Sequence, residues 1–135
     1  MRSDGRSSTH AVSGSMALEY GLLLPVLLLL MFGTMDVGRL LWTYTTLNRA
    51  VAASARCAAV NPSACGTPAE IASRAASEAW GLTVTPAAFT SQTLSCGAQV
   101  TANYNFSLLI PWIGGNRPDD LPNTITLTVS ACYPL

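Results

Sequence analysis

Four cysteines, all after residue 56, are the side chains of this sequence whose type and number most directly suggest chemistry. They are Cys57, Cys65, Cys96 and Cys132. An even number of cysteines in a short exported domain is typical of a disulfide framework formed in an oxidising compartment. Four free buried thiols in a cytosolic protein are the alternative. A zinc site is a poorer interpretation, because the spacings are not C-x-x-C pairs and the only histidine is His10.

A single carboxylate, Glu19, stands at the start of the longest apolar run. No charged residue occurs from Tyr20 to Met35. A carboxylate close to a membrane costs free energy unless it is paired or lies among the lipid headgroups. Glu19 therefore either sits at headgroup level or pairs with a positive group that processing or a neighbouring subunit supplies.

Catalytic constellations are missing from the sequence. It contains no G-x-S-x-G nucleophile elbow and no H-E-x-x-H zinc motif. Seven basic residues balance seven acidic ones, so the chain also lacks the basic excess that nucleic-acid binding requires. We expect no enzymatic activity, no cofactor, no metal site and no nucleic-acid partner.

The element that positions Glu19 is a helix over the apolar run. A helix from Ala17 to Asp36 is about 30 Å long, which matches the hydrocarbon core of a bilayer. It is apolar on every side, and a chain of this length cannot surround it with a soluble core. The sequence therefore predicts a transmembrane helix over 15–42, preceded by a polar leader over 1–14. A cleaved secretory signal peptide is the alternative, but its apolar core would be shorter and a small-x-small site would follow.

Charges and aromatic residues at the two ends of this helix bear on its orientation. The leader has two arginines against one aspartate, which favours a cytoplasmic N-terminus, and the cysteines place the C-terminal part outside the cytoplasm. Asp36 and Arg39, three residues apart, are expected to pair with each other. With Trp42 and Tyr44 as interfacial aromatic residues, they mark the interface of the crossed membrane that faces away from the cytoplasm.

Gly14–Tyr20, where the apolar run begins, is the first of several stretches that resemble the TadE-like family of tight-adherence pilus proteins. In Gly14–Tyr20 a glycine is followed by four residues and then Glu-Tyr, which also looks like the prepilin-peptidase site of Flp-type pilins and pseudopilins. The resemblance continues through Ala17–Val26, Asp36–Tyr44, Leu47–Val51 and Ala55–Arg56.

The resemblance implies a processing site formed by Gly14, Ser15, Glu19 and Tyr20. A prepilin peptidase would cleave between Gly14 and Ser15 and leave a new α-amine on Ser15. Glu19 would be an assembly contact, because in pilins this carboxylate is thought to meet the N-terminal amine of a neighbouring subunit. Such a pair in a low dielectric favours docking.

The function that the resemblance implies is that of a minor pilin or pseudopilin, acting in assembly of a bacterial tight-adherence (Flp) pilus for surface adhesion. The implied partners are the prepilin peptidase, other pilus-assembly proteins, pilin-like subunits and the inner membrane. The protein would span the inner membrane once, with its C-terminal domain in the periplasm or in the surface pilus.

Beyond the membrane the helix is expected to continue over 43–60 and to end at Asn61-Pro62. A second helix should begin at the capping box Thr67-Pro68-Ala69-Glu70 and end at Gly81. Charged residues four positions apart are expected to form a ladder of ion pairs on the solvent-exposed face of this helix, and a set of apolar residues is expected on its buried face. The ladder consists of Glu70, Arg74 and Glu78, and the buried set consists of Ile71, Ala72, Ala75, Ala76, Ala79 and Trp80.

The remaining sequence predicts an antiparallel sheet. Apolar and polar residues alternate over 100–108 and 125–133, and 89–94 is a candidate third strand. The expected fold class is α+β, with a pilin-like, disulfide-linked domain over 61–135. Cys57–Cys65 would pin the loop after the long helix, and Cys96–Cys132 would join the first and last strands. The second pairing is a hypothesis, because the two cysteines are out of phase unless Gly97 breaks the alternation.

A membrane-anchored binding module with an uncleaved N-terminus is the alternative function. In that case the turn-rich loop over 111–122 would carry recognition through Trp112, unless this tryptophan folds back onto the sheet.

Overall fold

The structure, a computed structural model, describes residues 10–109 and 124–135, with the backbone alone for 10–15. The loop over 111–122, with Trp112, lies outside the described residues. The elements are α1 (His10–Val60), α2 (Pro68–Glu78), a short 3₁₀ turn (Pro86–Ala88), β1 (Phe89–Leu94), β2 (Gly97–Ser107) and β3 (Thr124–Tyr133). The predicted α+β class, with a long N-terminal helix, a second helix, an antiparallel sheet and two disulfides, is confirmed.

Helix α1 is a single helix of 51 residues that continues through Pro25. It ends at Val60, as predicted, and it begins at His10, inside the expected leader. Between Met35 and Asp36 the chain divides into two compact units, here called the N-terminal unit and the C-terminal unit (Asp36–Leu135). The helix is long and apolar enough to cross a membrane, and none of its apolar stretch is buried by protein.

The core of the C-terminal unit lies between one face of α1, α2 and the sheet. Leu47 and Val51 of α1 and Val100 of β2 are fully buried, and burial of such side chains stabilises a fold by about 1.5–3 kcal/mol each. The other buried members of this core are Ala50, Ala55, Cys65, Ile71, Ala75, Ala79, Phe89, Ala102 and Val129.

One face of α1 supplies both apolar and polar side chains to this core. Leu47, Val51 and Ala55 are buried, but Tyr44 is half exposed. The same face also buries the hydroxyl side chains of Thr43 and Ser54. Each hydroxyl donates to the carbonyl oxygen four residues earlier, at 2.9 Å for Thr43 and 2.8 Å for Ser54, so neither is buried without a partner.

Helix α2 begins at the capping box that the sequence predicted, with Thr67 as N-cap and Glu70 closing the box. The ion-pair ladder forms only in part: Arg74 pairs with Glu78 at 2.7 Å, while Glu70 accepts from backbone N–H groups at the cap instead. The prediction that Trp80 is buried is wrong. The helix ends at Glu78, before Gly81, and Trp80 is 74% exposed.

The sheet has the order β1-β2-β3, and both pairs of neighbours are antiparallel. Its inner face buries alternate residues of β2, while its outer face is polar. On that outer face the hydroxyl of Thr128 donates to Oδ1 of Asn103 at 2.9 Å, and Thr126 donates to Oδ1 of Asn105 at 3.0 Å. These cross-strand pairs fix the register of β3 on β2.

Both expected disulfides are present, Cys57–Cys65 and Cys96–Cys132. Cys96 lies in the two-residue turn between β1 and β2, so the strand alternation does not govern its direction. Gly97 follows with a φ of +119°, a conformation that favours glycine. A Cβ at Gly97 would also overlap the carbonyl oxygen of Tyr133, so a side chain would push β3 away from its place beside the turn.

Candidate functional site

The residues predicted to form a processing site lie in the first turns of α1. Gly14 and Ser15 are in the helix, and Glu19 and Tyr20 are exposed. Ser15 and Glu19 are four residues apart, so they lie on the same face one turn from each other. Within the described residues Glu19 makes no ion pair, which leaves its carboxylate available to a partner outside them.

The helix surface that follows Glu19 is apolar and open. Tyr20 is 72% exposed, and the large apolar side chains from Leu22 to Met35 are between 40 and 69% exposed. Gly21 leaves an apolar groove beside it, because nothing lies within 4 Å of the position that a Cβ would take. The groove is lined by Tyr20, Gly21, Leu23, Leu24 and Leu27. An apolar surface of this extent requires lipid or other helices around it.

Asp36, at the start of the C-terminal unit, is the most deeply buried charged side chain among the described residues, with 2% of it exposed. Its two carboxylate oxygens accept the backbone N–H of Leu109 at 3.1 and 2.9 Å. Arg39 donates to the same carboxylate at 3.3 Å, as the spacing of the two residues predicted. The guanidinium of Arg39 also lies over the ring of Phe106, 5.3 Å from its centroid, so the two ends of this contact hold α1 and β2 together.

The contact of Asp36 with Leu109 was missed by the sequence analysis. The two residues are 73 positions apart, and nothing in the pattern around either one indicates the other. The sequence pointed to Asp36 as a boundary residue, and the structure adds that it fixes the chain where β2 ends.

The aromatic residues expected at the membrane boundary are exposed on α1, Trp42 by 62% and Tyr44 by 47%. Trp42 is not isolated. A Cβ at Gly81 would lie 3.9 Å from Nε1 of Trp42, so the turn after α2 approaches this indole.

No group of three or more histidine, cysteine, aspartate or glutamate side chains that could hold a metal ion is found in the part of the chain that the structure describes. A cleft lies under the loop closed by Cys57–Cys65, between that loop and the β1–β2 edge. Its lining is apolar or carries amide and hydroxyl groups, with no side-chain acid or base. Its most polar members are Ser91, Gln92, Thr93 and Gln99.

These features define an α+β protein with a long, openly apolar N-terminal helix and a small disulfide-bonded domain. Residues 14–56 match the model of the TadE-like protein family. The match begins at Gly14 and ends beside Cys57, and it confirms the resemblance that the N-terminal stretches indicated. It points to a protein associated with the tight-adherence (Tad) pilus. No curated protein and no solved structure matches the chain.

Proposed function

We propose that this chain is a minor pilin or pseudopilin that acts in assembly of a tight-adherence (Flp-type) pilus for surface adhesion. The observation that carries the proposal is the exposed apolar helix that opens with Glu19, within a segment that matches the TadE-like family from Gly14 onward. In a pilin-like subunit such a helix has two successive environments. It first spans the lipid bilayer and then packs against the helices of other subunits.

The proposed sequence of events begins with cleavage of the bond between Gly14 and Ser15 by a prepilin peptidase. Residues 1–14 are the leader that this step removes. The helix continues without a break through this bond, so the peptidase must unwind the first turns of α1 to reach it. Gly14 favours that step, because glycine is destabilising inside a helix by about 0.5–1 kcal/mol relative to alanine.

Glu19 is the proposed assembly contact of the processed chain. The new amine of Ser15 would be one helical turn from the Glu19 carboxylate of its own chain, and a neighbouring subunit would offer the same pair. A carboxylate and an amine at the edge of the membrane interior interact more strongly than in water. Each subunit would therefore dock in a register set by this pair, while the apolar groove beside Gly21 receives side chains of the neighbour.

The proposed topology is a single pass through the inner membrane. Residues 15–42 would cross the bilayer, 43–60 would extend the helix beyond it, and 61–135 would form the periplasmic domain that can enter the pilus. The two disulfides support this side for the domain, because such bonds persist in oxidising compartments.

The experiment that tests the proposal compares Glu19→Gln with the unaltered chain in cells that assemble the pilus. We expect the variant to be inserted in the membrane and processed, but to be absent from sheared pili and from crosslinks with other pilin-like subunits. Glu78→Gln is the matched control. It makes the same change of a carboxylate to an amide, but on α2 and outside the apolar helix, and should assemble normally.

Normal incorporation of the Glu19→Gln chain would contradict the assembly role of the carboxylate. An uncleaved chain that still supports surface adhesion of the cells would instead favour the membrane-anchored binding module. Release of the C-terminal unit into the periplasm would favour a signal peptide and would contradict both.

A further inference from the structure

An exposed tryptophan of the C-terminal unit, Trp42, lies beside the turn that carries a second one, Trp80, although 38 positions separate them in the sequence. Trp42 is on α1 and Trp80 is in the turn that follows α2, and they are 62% and 74% exposed. The position that a Cβ on Gly81 would take is 3.9 Å from Nε1 of Trp42, so the backbone next to Trp80 approaches this indole. Leu41, which precedes Trp42 on α1, is 58% exposed and adds apolar surface next to it.

The turn that carries Trp80 is well defined by backbone hydrogen bonds. The N–H of Trp80 donates to Glu78 at 3.0 Å, and the N–H of Leu82 donates to Ala79 at 3.2 Å. Gly81 turns the chain with a φ of +72°. The exposure of Trp80 is therefore a product of an ordered turn, since the chain is held on both sides of it.

Both indoles keep their polar group available. Among the residues that the structure describes, neither Nε1–H donates a hydrogen bond. An exposed tryptophan with a free N–H suits a boundary where one end of the ring meets apolar material and the other meets water or polar acceptors. The headgroup layer of a bilayer is such a boundary, and tryptophan is enriched there.

Position along the chain favours the bilayer over another protein as the occupant of this surface. Trp42 comes seven residues after Met35, the last residue of the uncharged run. Along a helix seven residues rise about 10 Å, which is within reach of the headgroup layer outside the hydrocarbon core. Arg39, whose side chain is 44% exposed, lies three residues before Trp42 and offers a cation to lipid phosphates.

We propose that Trp80 and Trp42 together dock the C-terminal unit on the outer headgroup layer of the membrane before the protein leaves it. This inference rests on the membrane anchorage in the proposed function. The long helix alone would leave the domain free to tilt about its anchor, whereas a second contact from α2 fixes its orientation on the membrane surface.

Single-tryptophan variants of the full chain test this contact. Trp42→Phe with Trp112→Phe leaves Trp80 as the only indole, and Trp80→Phe with Trp112→Phe leaves Trp42. Each is reconstituted in phosphatidylcholine–phosphatidylglycerol vesicles that contain phosphatidylcholine with a nitroxide on its headgroup, here called the nitroxide lipid. We expect the nitroxide lipid to quench Trp80 strongly, and aqueous acrylamide to quench it weakly.

Arg56→Trp in a chain without other tryptophans is the control. Arg56 is exposed on α1, and 14 residues after Trp42 correspond to about 21 Å along the helix. We expect acrylamide to quench this indole strongly and the nitroxide lipid to leave it unaffected.

The outcomes separate the docking from the anchorage. If Trp80 behaves like the Arg56→Trp indole while the nitroxide lipid quenches Trp42, the docking is wrong and the anchorage stands. If Trp42 also behaves as in water, the anchorage fails as well. Trp80 could instead be protected from acrylamide, not quenched by the nitroxide lipid, and exposed again when the protein is diluted with lipid. That result would show that a second copy of the chain covers it and would overturn the proposal. Fluorine NMR of the unsubstituted chain labelled with 5-fluorotryptophan, with paramagnetic lipid, repeats the test with Trp42 intact.

Discussion

The carboxylate of Asp36 accepts the backbone N–H of Leu109 through both of its oxygens, at 3.1 and 2.9 Å. This contact ties the first residue of the C-terminal unit on α1 to the chain that leaves β2, 73 positions later. Hydrogen bonds to a charged acceptor are stronger than neutral ones, and this one is shielded from water because Asp36 is 2% exposed.

Asp36→Ala should therefore destabilise the C-terminal unit by about 2–3 kcal/mol, because the N–H of Leu109 loses its charged acceptor. Urea unfolding of the full chain in detergent micelles measures the loss, and hydrogen exchange at the Leu109 amide reports the local contact. Arg74→Ala is the control. Its exposed side chain, in an i,i+4 pair with Glu78 on α2, should cost about 1 kcal/mol or less. Equal losses for the two variants would contradict the dominant role of the Leu109 contact.

The two disulfides should differ in what they contribute to stability. Cys96–Cys132 closes a loop with a sequence separation of 36, against 8 for Cys57–Cys65. In the chain-entropy description, such loops correspond to about 4 and about 2.5 kcal/mol. We expect replacement of the Cys96–Cys132 pair by serines to lower the free energy of unfolding more than replacement of Cys57–Cys65. The reverse order in urea unfolding would show that loop closure is not the main source of their stabilisation.

Replacement of three glycines by alanine should change stability by different amounts, according to the backbone φ and the space around each Cβ. Gly97→Ala should lower stability by more than the ~1–2 kcal/mol of a left-handed backbone alone, because its Cβ also meets Tyr133 and approaches Cα of Pro134 to 2.7 Å. Gly81→Ala, with φ +72° and only an ordinary van der Waals contact with Nε1 of Trp42 at 3.9 Å, should show only the backbone cost. Gly38→Ala, inside α1 with nothing within 4 Å, should be neutral or stabilising. Thermal unfolding that ranked Gly97→Ala as the mildest would contradict the register of the β1–β2 turn and β3.

Glu70 should make the stability of α2 depend on pH. Hydrogen bonds from the backbone and side chain of Thr67, and from the backbone of Gly66, lower the pKa of Glu70 below its ordinary value. Because the folded pKa is the lower one, this contribution is fully present above the ordinary glutamate pKa and is lost as pH falls through the folded pKa.

Thermal unfolding between neutral and acidic pH checks the sign. We expect the melting temperature of the unaltered chain to fall in the acidic range, and we expect Glu70→Gln to show a shallower fall, since the amide keeps an acceptor without a charge. An identical pH slope in both chains would contradict a role for the charged form of Glu70 in the cap.

Local sequence signals predicted those elements whose physics is local. The capping box at Thr67 to Glu70 was readable because it depends on residues three apart, and the end of α1 was readable from Asn61-Pro62. Glu70 could not serve both the cap and the ladder. The cap took it because two backbone N–H groups at 3.1 and 3.0 Å converge on one of its oxygens.

The features that the sequence did not reveal depend on tertiary contacts. The helical period was extended to Trp80, but Ala79 leaves the helical conformation with ψ near 65°, so the next side chain leaves the buried face. Thr43 and Ser54 are buried in the core, but apolar periodicity does not reveal short hydroxyl side chains that bond to their own helix. The role of Asp36 as an acceptor could not be predicted locally, because the folded sheet is what places the N–H of Leu109 beside it.

We propose that the chain matures by removal of its leader and remains in the membrane as an assembly-competent subunit. Determination of the N-terminus of the membrane-extracted protein, by Edman degradation and intact mass, with and without an active prepilin peptidase, tests it most directly. We expect a chain that begins at Ser15 when the peptidase is active and at the original N-terminus when it is absent. Retention of the leader in the presence of active peptidase, or an identical N-terminus in both strains, would contradict it.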